Sequence, residues 1–271
     1  MILSRPGRFT KPPPGAQINW GHPLATGLTA CFLLNTGSGS ADDFVYGYRG
    51  TLTNGARWVI SQQGHAVDFD GVNQFISIPH TSKLMFPSSF TIVARILLNA
   101  AAVEDDVIVS KTLAVGSQTG YFFAEHNGAT TIDFGFYNGV AYKVANGATG
   151  IGTNTWATVA GVFDDNADTN TVFLNGVQDG QVSSVGNVVS NTNAVEIGSK
   201  SNELGKTLDG QVAWVYLFDI AKTRAEIQWL NTEPYAFLLS ASPSVKYFLP
   251  TAVGAQVPYQ PWLERAPILA H

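Results

Sequence analysis

Apolar and polar residues alternate with a period of two along most of the chain, the spacing that sends successive side chains to opposite faces of a strand. Val67 and Phe69 point one way and Asp68 and Asp70 the other, until Gly71 interrupts the run and Ile76 and Ile78 resume the inward face. Phe90, Ile92, Ala94, Ile96 and Leu98 share one face of a longer strand. Leu28–Leu34, Val107–Lys111, Gly120–Glu125, Thr131–Tyr137, Val140–Ala145, Trp156–Phe163 and Thr171–Asn175 continue the series. Asn54-Gly55, Asn138-Gly139 and Asn175-Gly176 are tight-turn pairs of the kind that join hairpin strands. Strands this regular, with a turn signal about every 8–12 residues, predict an all-β fold: a two-sheet antiparallel sandwich.

The pattern changes after Gly198. Val195 and Ile197 alternate with Glu196 and Gly198, then Asp209-Gly210 reads as a turn into a strand over Gln211–Phe218. Thr223-Arg-Ala-Glu226 is a capping box, in which the threonine hydroxyl accepts from the Glu226 amide and the glutamate reaches back. It predicts one short helix running to Leu230, with Ile227 and Leu230 inward. Residues 1–24 hold Lys11-Pro-Pro-Pro14 and read as an extended arm, because proline fixes φ and donates no hydrogen bond. Residues 236–271 read as a second, proline- and aromatic-rich arm anchored by Trp262, leaving 25–235 as one domain. Such arms pack back on the sandwich, embrace neighbouring subunits or stay disordered.

Val195-Glu-Ile-Gly198, Gly210-Gln-Val212, Val215-Tyr-Leu217 and Thr223–Ile227, in that order, resemble the closing segment of the laminin-G-like (concanavalin A-like) jelly-roll domains. Asp43–Leu52, Ala66–Pro79 and the Trp156–Asp164 and Val172–Val177 pair are similar to earlier segments of the same family. The resemblance spans 25–235. It implies a jelly-roll sandwich with one short helix near the C-terminal end; the extended terminal arms lie outside it. Ala213 and Trp214 stand where the family usually has Asp-Glu.

Charged residues make up only 13% of the chain, replaced by Gly, Asn, Thr and Ser, and the net charge is −5. No basic run exists to track a nucleic-acid backbone. No apolar stretch of about 18 residues exists to span a membrane. The single cysteine, Cys31, sits in an apolar run and reads as a buried, inert thiol. The N-terminal residues lack the apolar core of a signal peptide. A fold common outside cells, without that signal and without disulfides, is explained economically by a phage-encoded virion component made in the cytoplasm and released by lysis; the alternative is a lost signal or a different start of the sequence.

Candidate chemistry narrows to binding. Glycoside hydrolysis needs two carboxyls flanking the sugar bond, and the glutamates at 104, 125, 196, 203, 226, 233 and 264 form no E-x-D-x-x-E pattern. Glu104-Asp105-Asp106 reads as a solvated acidic loop. His22, His65, His80, His126 and His271 lack a G-x-S-x-G partner. Asp164-Asp-Asn-Ala-Asp-Thr-Asn170 reads as a set of Asx turns rather than an EF-hand, because Thr169 and Asn175 occupy the Gly and Glu positions. The resemblance implies a structural calcium held by an acidic residue of the closing strand and loop carbonyls. With Ala213 and Trp214 there, Asp68, Asp70 and Asp209 remain as candidate ligands. A sugar needs an exposed aromatic for its ring face. Among Trp58, Tyr121, Tyr137, Tyr142 and Trp214, the expected platform is Trp214, facing outward in place of an acid, with Tyr137 and Tyr142. The expectation is therefore a non-enzymatic phage virion structural protein, in capsid decoration or the tail, held by its arms and sheet surface to other virion proteins or copies of itself. The alternative is a carbohydrate-binding, lectin-like module for cell-surface glycans, with calcium as its candidate cofactor.

Overall fold

The computed structural model describes residues 10–102, 105–112, 119–126, 128–183, 185–200 and 206–239. Glu104, Trp262, His271 and most of the expected C-terminal arm lie outside them. The alternating segments form strands β1 (Gln17–Ile18), β2 (Leu28–Phe32), β3 (Ala41–Asp42), β4 (Arg49–Thr53), β5 (Arg57–Ser61), β6 (Gly64–Asp70), β7 (Phe75–Ile78), β8 (Phe90–Leu98) and β9 (Val107–Lys111). The series continues with β10 (Tyr121–Glu125), β11 (Ile132–Tyr137), β12 (Tyr142–Asn146), β13 (Trp156–Asp164), β14 (Thr169–Leu174), β15 (Val177–Ser183), β16 (Val195–Ile197), β17 (Asp209–Phe218) and β18 (Leu238–Leu239), with one α-helix, α1 (Arg224–Thr232).

Two large antiparallel sheets stack face to face. The front sheet runs β12-β11-β10-β9-β16-β7-β4-β3, and the back sheet β15-β14-β13-β8-β17-β6-β5, with β2 also paired to β17. Between them the inward residues of the alternation close a core: Phe69, Phe90, Ile92, Phe163 and Leu217 from the back, Ile76, Val109, Phe123, Phe134 and Phe136 from the front. Phe134 lies over Gly161, where a Cβ would sit 2.2 Å from the ring. The sheets interlock there because one strand gives up a side chain.

The back sheet is covered on its outer face as well. Val93, Ala160, Trp214, Tyr216 and Phe218 form a second core with Ile227 and Leu230 of α1 and with Leu24, Tyr235 and Phe237 from the two flanking segments. The helix starts where the capping box predicts. Thr223 Oγ1 accepts from the Glu226 amide at 3.3 Å, and Glu226 Oε2 accepts from the Thr223 amide at 2.9 Å. The described part of the N-terminal arm packs back: β1 pairs with β18, and the Asn35 amide donates to Pro12 O at 2.8 Å.

Two expectations are corrected by β17. Asp209-Gly210 is not a turn but the first rung of that strand, opposite Asp70 and Phe69. Glycine is required there because Leu97 O lies 2.2 Å from where its Cβ would be. Trp214, expected to face outward, is fully buried and stacked on Tyr216, with centroids 4.4 Å apart and rings 13° from parallel. A β-bulge sets its direction: between Val212 and Trp214 the register against β8 slips by one residue. Ala213 and Trp214 consequently share the outer face while Val212 and Val215 both point into the central core. Trp214 faces out of the sandwich, as expected, but into a second apolar layer rather than water.

Candidate functional site

Among the described residues, the outer face of the front sheet carries no helix. Hairpins β10–β11 and β11–β12 set a row across three strands, with Phe122 opposite Gly135 and Gly135 opposite Val144. A Cβ on Gly135 would lie 2.7 Å from Phe122 Cζ and 3.0 Å from Val144 Cγ2, so the bare glycine is what lets the phenyl ring lie down on the sheet. Two rungs on, the next pair on this face is Tyr137 with Tyr142, their rings 5.3 Å apart, and Tyr142 meets Phe122 edge to face at 5.9 Å. The turn fixes this pair, since Asn138 Oδ1 accepts from the amides of Val140 and Ala141 and Gly139 takes φ +93°.

Phe122, Tyr142, Val144 and Val107 thus line an open cleft of about 230 Å³, with Asp105 and Lys200 at its polar edge. Asp105 also faces Lys206 at 3.6 Å. Tyr142 is 37% exposed. Apolar ring faces beside a carboxylate, an ammonium and a phenol are the groups that hold an amphipathic ring carrying hydroxyls. Of the expected aromatics, Tyr142 lines the cleft and Tyr137 packs against it from beside. Trp214 does not, Tyr121 is buried with its hydroxyl donating to Leu84 O at 3.0 Å, and Trp58 Nε1 donates to Gly39 O at 3.0 Å. Phe122 was not singled out from sequence. The signal was present, because in Tyr121-Phe-Phe123 strict alternation must send the middle ring to the opposite face.

The expected calcium ligands do not converge. Asp68 is engaged by Arg57 at 2.8 Å, Asp70 Oδ1 accepts the Val72 amide at 3.0 Å, and Asp209 Oδ1 accepts from Asn99 at 2.9 Å. Among the described residues, no three His, Cys, Asp or Glu side chains form a group that could hold a metal ion. Asp164 closes an Asx turn, accepting from the Asn166 and Ala167 amides.

The acidic loop is not fully solvated either. Asp106 is 7% exposed, and Glu125 at the end of β10 is fully buried, accepting from the Ala102 amide at 3.1 Å. Burial, reinforced by the negative Asp106 and Asp209, pushes the Glu125 carboxyl up to about 8 against that one hydrogen bond. The folded state then keeps a proton that the unfolded chain releases above its ordinary carboxyl range. This group's contribution is present below about pH 4.5 and is lost as pH rises to about 8. Glu125→Gln keeps the acceptor and removes the titration. Thermal denaturation across pH 5–9 is expected to show a flatter profile for the variant and a higher Tm than wild type above about pH 8. Parallel profiles would refute the assignment.

Two stacked antiparallel sheets, one outer face capped by a helix, define a jelly-roll β-sandwich. A family model for the concanavalin A-like lectin/glucanases superfamily matches residues 70–228, more than half of the chain, and the chain belongs to that family. No curated protein sequence matches it significantly. Among solved structures, the binding domain of paraclostridial mosquitocidal protein 1 superposes with a TM-score of 0.63 at 12% identity, covering 79% of this chain and 53% of that one. Domain 4 of AbnA, a GH43 extracellular arabinanase from Geobacillus stearothermophilus, in complex with arabinotriose, gives 0.61 at 14% identity, covering 75% and 98%. Trypanosoma rangeli sialidase in complex with sialic acid gives 0.57 at 13%, covering 80% and 34%. The chain therefore spans about half of the mosquitocidal structure and about a third of the sialidase, but nearly all of the arabinanase domain. At these identities the likeness is one of fold. No described helix is long and apolar enough to cross a membrane.

Proposed function

We propose that this domain binds carbohydrate without turning it over, seating a sugar ring in the cleft on the open sheet. The observation that carries this reading is the row Phe122–Gly135–Val144 with Tyr142 beside it and Asp105 and Lys200 at the edge. The phenyl ring takes the apolar face of the sugar, and the charged pair and the phenol take its hydroxyls. A neighbour of the same fold, matched over 98% of its length, is described in complex with arabinotriose. The setting we propose is a phage virion or another extracellular particle, where such a module meets host glycans; proteomics of purified particles would check it.

A glycan array followed by calorimetry on the best ligand tests the binding. Phe122→Ala and Tyr142→Ala are each expected to weaken it at least about tenfold, the equivalent of ~1.4 kcal/mol, with Tm little changed for the exposed Tyr142. Wild-type protein that retains no glycan, or variants that bind as tightly as wild type, would remove this reading.

A further inference from the structure

The back sheet contains a junction that its own ladders leave open. Strand β17 pairs with β6 only as far as Val212 opposite Val67, and takes up β2 only from Val215 opposite Phe32. Between these rungs sits the bulged Ala213, which has no partner on β8. On β6, His65 lies beyond the last rung shared with β17. Past the end of β2, Leu34 takes φ +48°, unusual for a bulky residue. His65 pairs with Ile60 of β5 on its other side, and the carbonyls of His65, Leu34 and Ala213 meet at one place. Lys11 fills it: its ammonium donates to Ala213 O at 2.6 Å, to Leu34 O at 3.2 Å and to His65 O.

The match is stoichiometric. An ammonium has three N–H donors and no acceptor, and it meets three acceptors. Among the described residues no carboxylate pairs with it, so the oxygens around it are neutral backbone dipoles. Divalent ions favour six to eight oxygens, carboxylates included, whereas three carbonyls suit one positive charge. The arm reaching this point is held besides by the Asn35 bond to Pro12 O.

We propose that Leu34 O, His65 O and Ala213 O form a small-cation site, occupied by the chain's own Lys11, which takes a free monovalent cation once that side chain is shortened. The site is independent of the cleft on the front sheet. The N-terminal arm then acts as an internal ligand; burial lowers the Lys11 ammonium to about 7, so its charge is present in full only below that pH.

Lys11→Ala in the full chain tests this. Its Tm would be followed in choline, sodium, potassium, ammonium and methylammonium chlorides at matched ionic strength. Potassium, ammonium or methylammonium is expected to raise the variant's Tm by at least about 2–4 °C over choline, as a ligand selective for the folded state does. Wild type and Lys11→Met, whose side chain fills the space without charge, should not respond. A variant unfolded in choline but folded in one of the small-cation salts would also support the site. A variant that responds alike to all five salts, or that is unfolded in every one, would overturn it.

Discussion

Replacing Trp214 with alanine is expected to cost about 3–5 kcal/mol of stability, the range for emptying a core tryptophan site. That is a large part of the roughly 5–15 kcal/mol that holds a typical domain folded. The indole is fully buried and stacked on Tyr216, and Tyr216 meets Phe237 edge to face at 5.2 Å. Removing it opens a void under α1 that neighbours on a sheet and a capped helix cannot collapse to fill. Urea denaturation would show a lower midpoint, and the protein that remains folded should keep its glycan affinity. An exposed platform would give the reverse, lost binding at unchanged stability, so one substitution separates the two roles.

The second large effect concerns Gly135. Valine there is expected to abolish glycan binding, by more than about 30-fold, equivalent to ~2 kcal/mol. Its side chain would occupy the space of Phe122 Cζ and Val144 Cγ2. The phenyl ring must then lift off the sheet into the cleft. The central core is on the other side of β11, so far-ultraviolet circular dichroism should stay that of the folded sandwich. Calorimetry against the array's best ligand reads the loss, and retained affinity would show that the flat ring is not the floor of the site.

Most of the architecture could be read from residues. Alternation located the strands, and the Asn54-Gly55 and Asn175-Gly176 turns carry the positive φ values that such pairs supply. The Thr223–Glu226 box placed the helix start. The outward direction of Trp214 is legible, but its burial is not, because the layer that covers it is assembled from Leu24, Ile227, Leu230, Tyr235 and Phe237, which come from other parts of the chain. Of the loop acids, Asp105 has a half-exposed side chain, as expected, but the burial of Asp106 depends on the approach of Asp209, whose amide lies 3.4 Å from it. The Asn138-Gly139 turn was legible but not its register: a two-residue turn would set Tyr137 opposite Val140, whereas the longer turn, closed by Asn138, sets it opposite Tyr142. Phe122 joins them only across β10 and β11. The Lys11 contacts span up to 202 residues of sequence, beyond the reach of any motif.

The position of β17 also bears on how the molecule is made. It lies in the middle of the back sheet, between β8 on one side and β6 and β2 on the other, although it is the last long strand to be synthesised. A ribosome that has released residues up to Ser199 has produced two half-sheets with nothing to join them, their open edges available to other nascent chains. Closure waits for residues 209–218 and is expected to be slow, as for any topology built on distant pairings. Premature termination before that strand should therefore yield aggregates rather than a smaller domain.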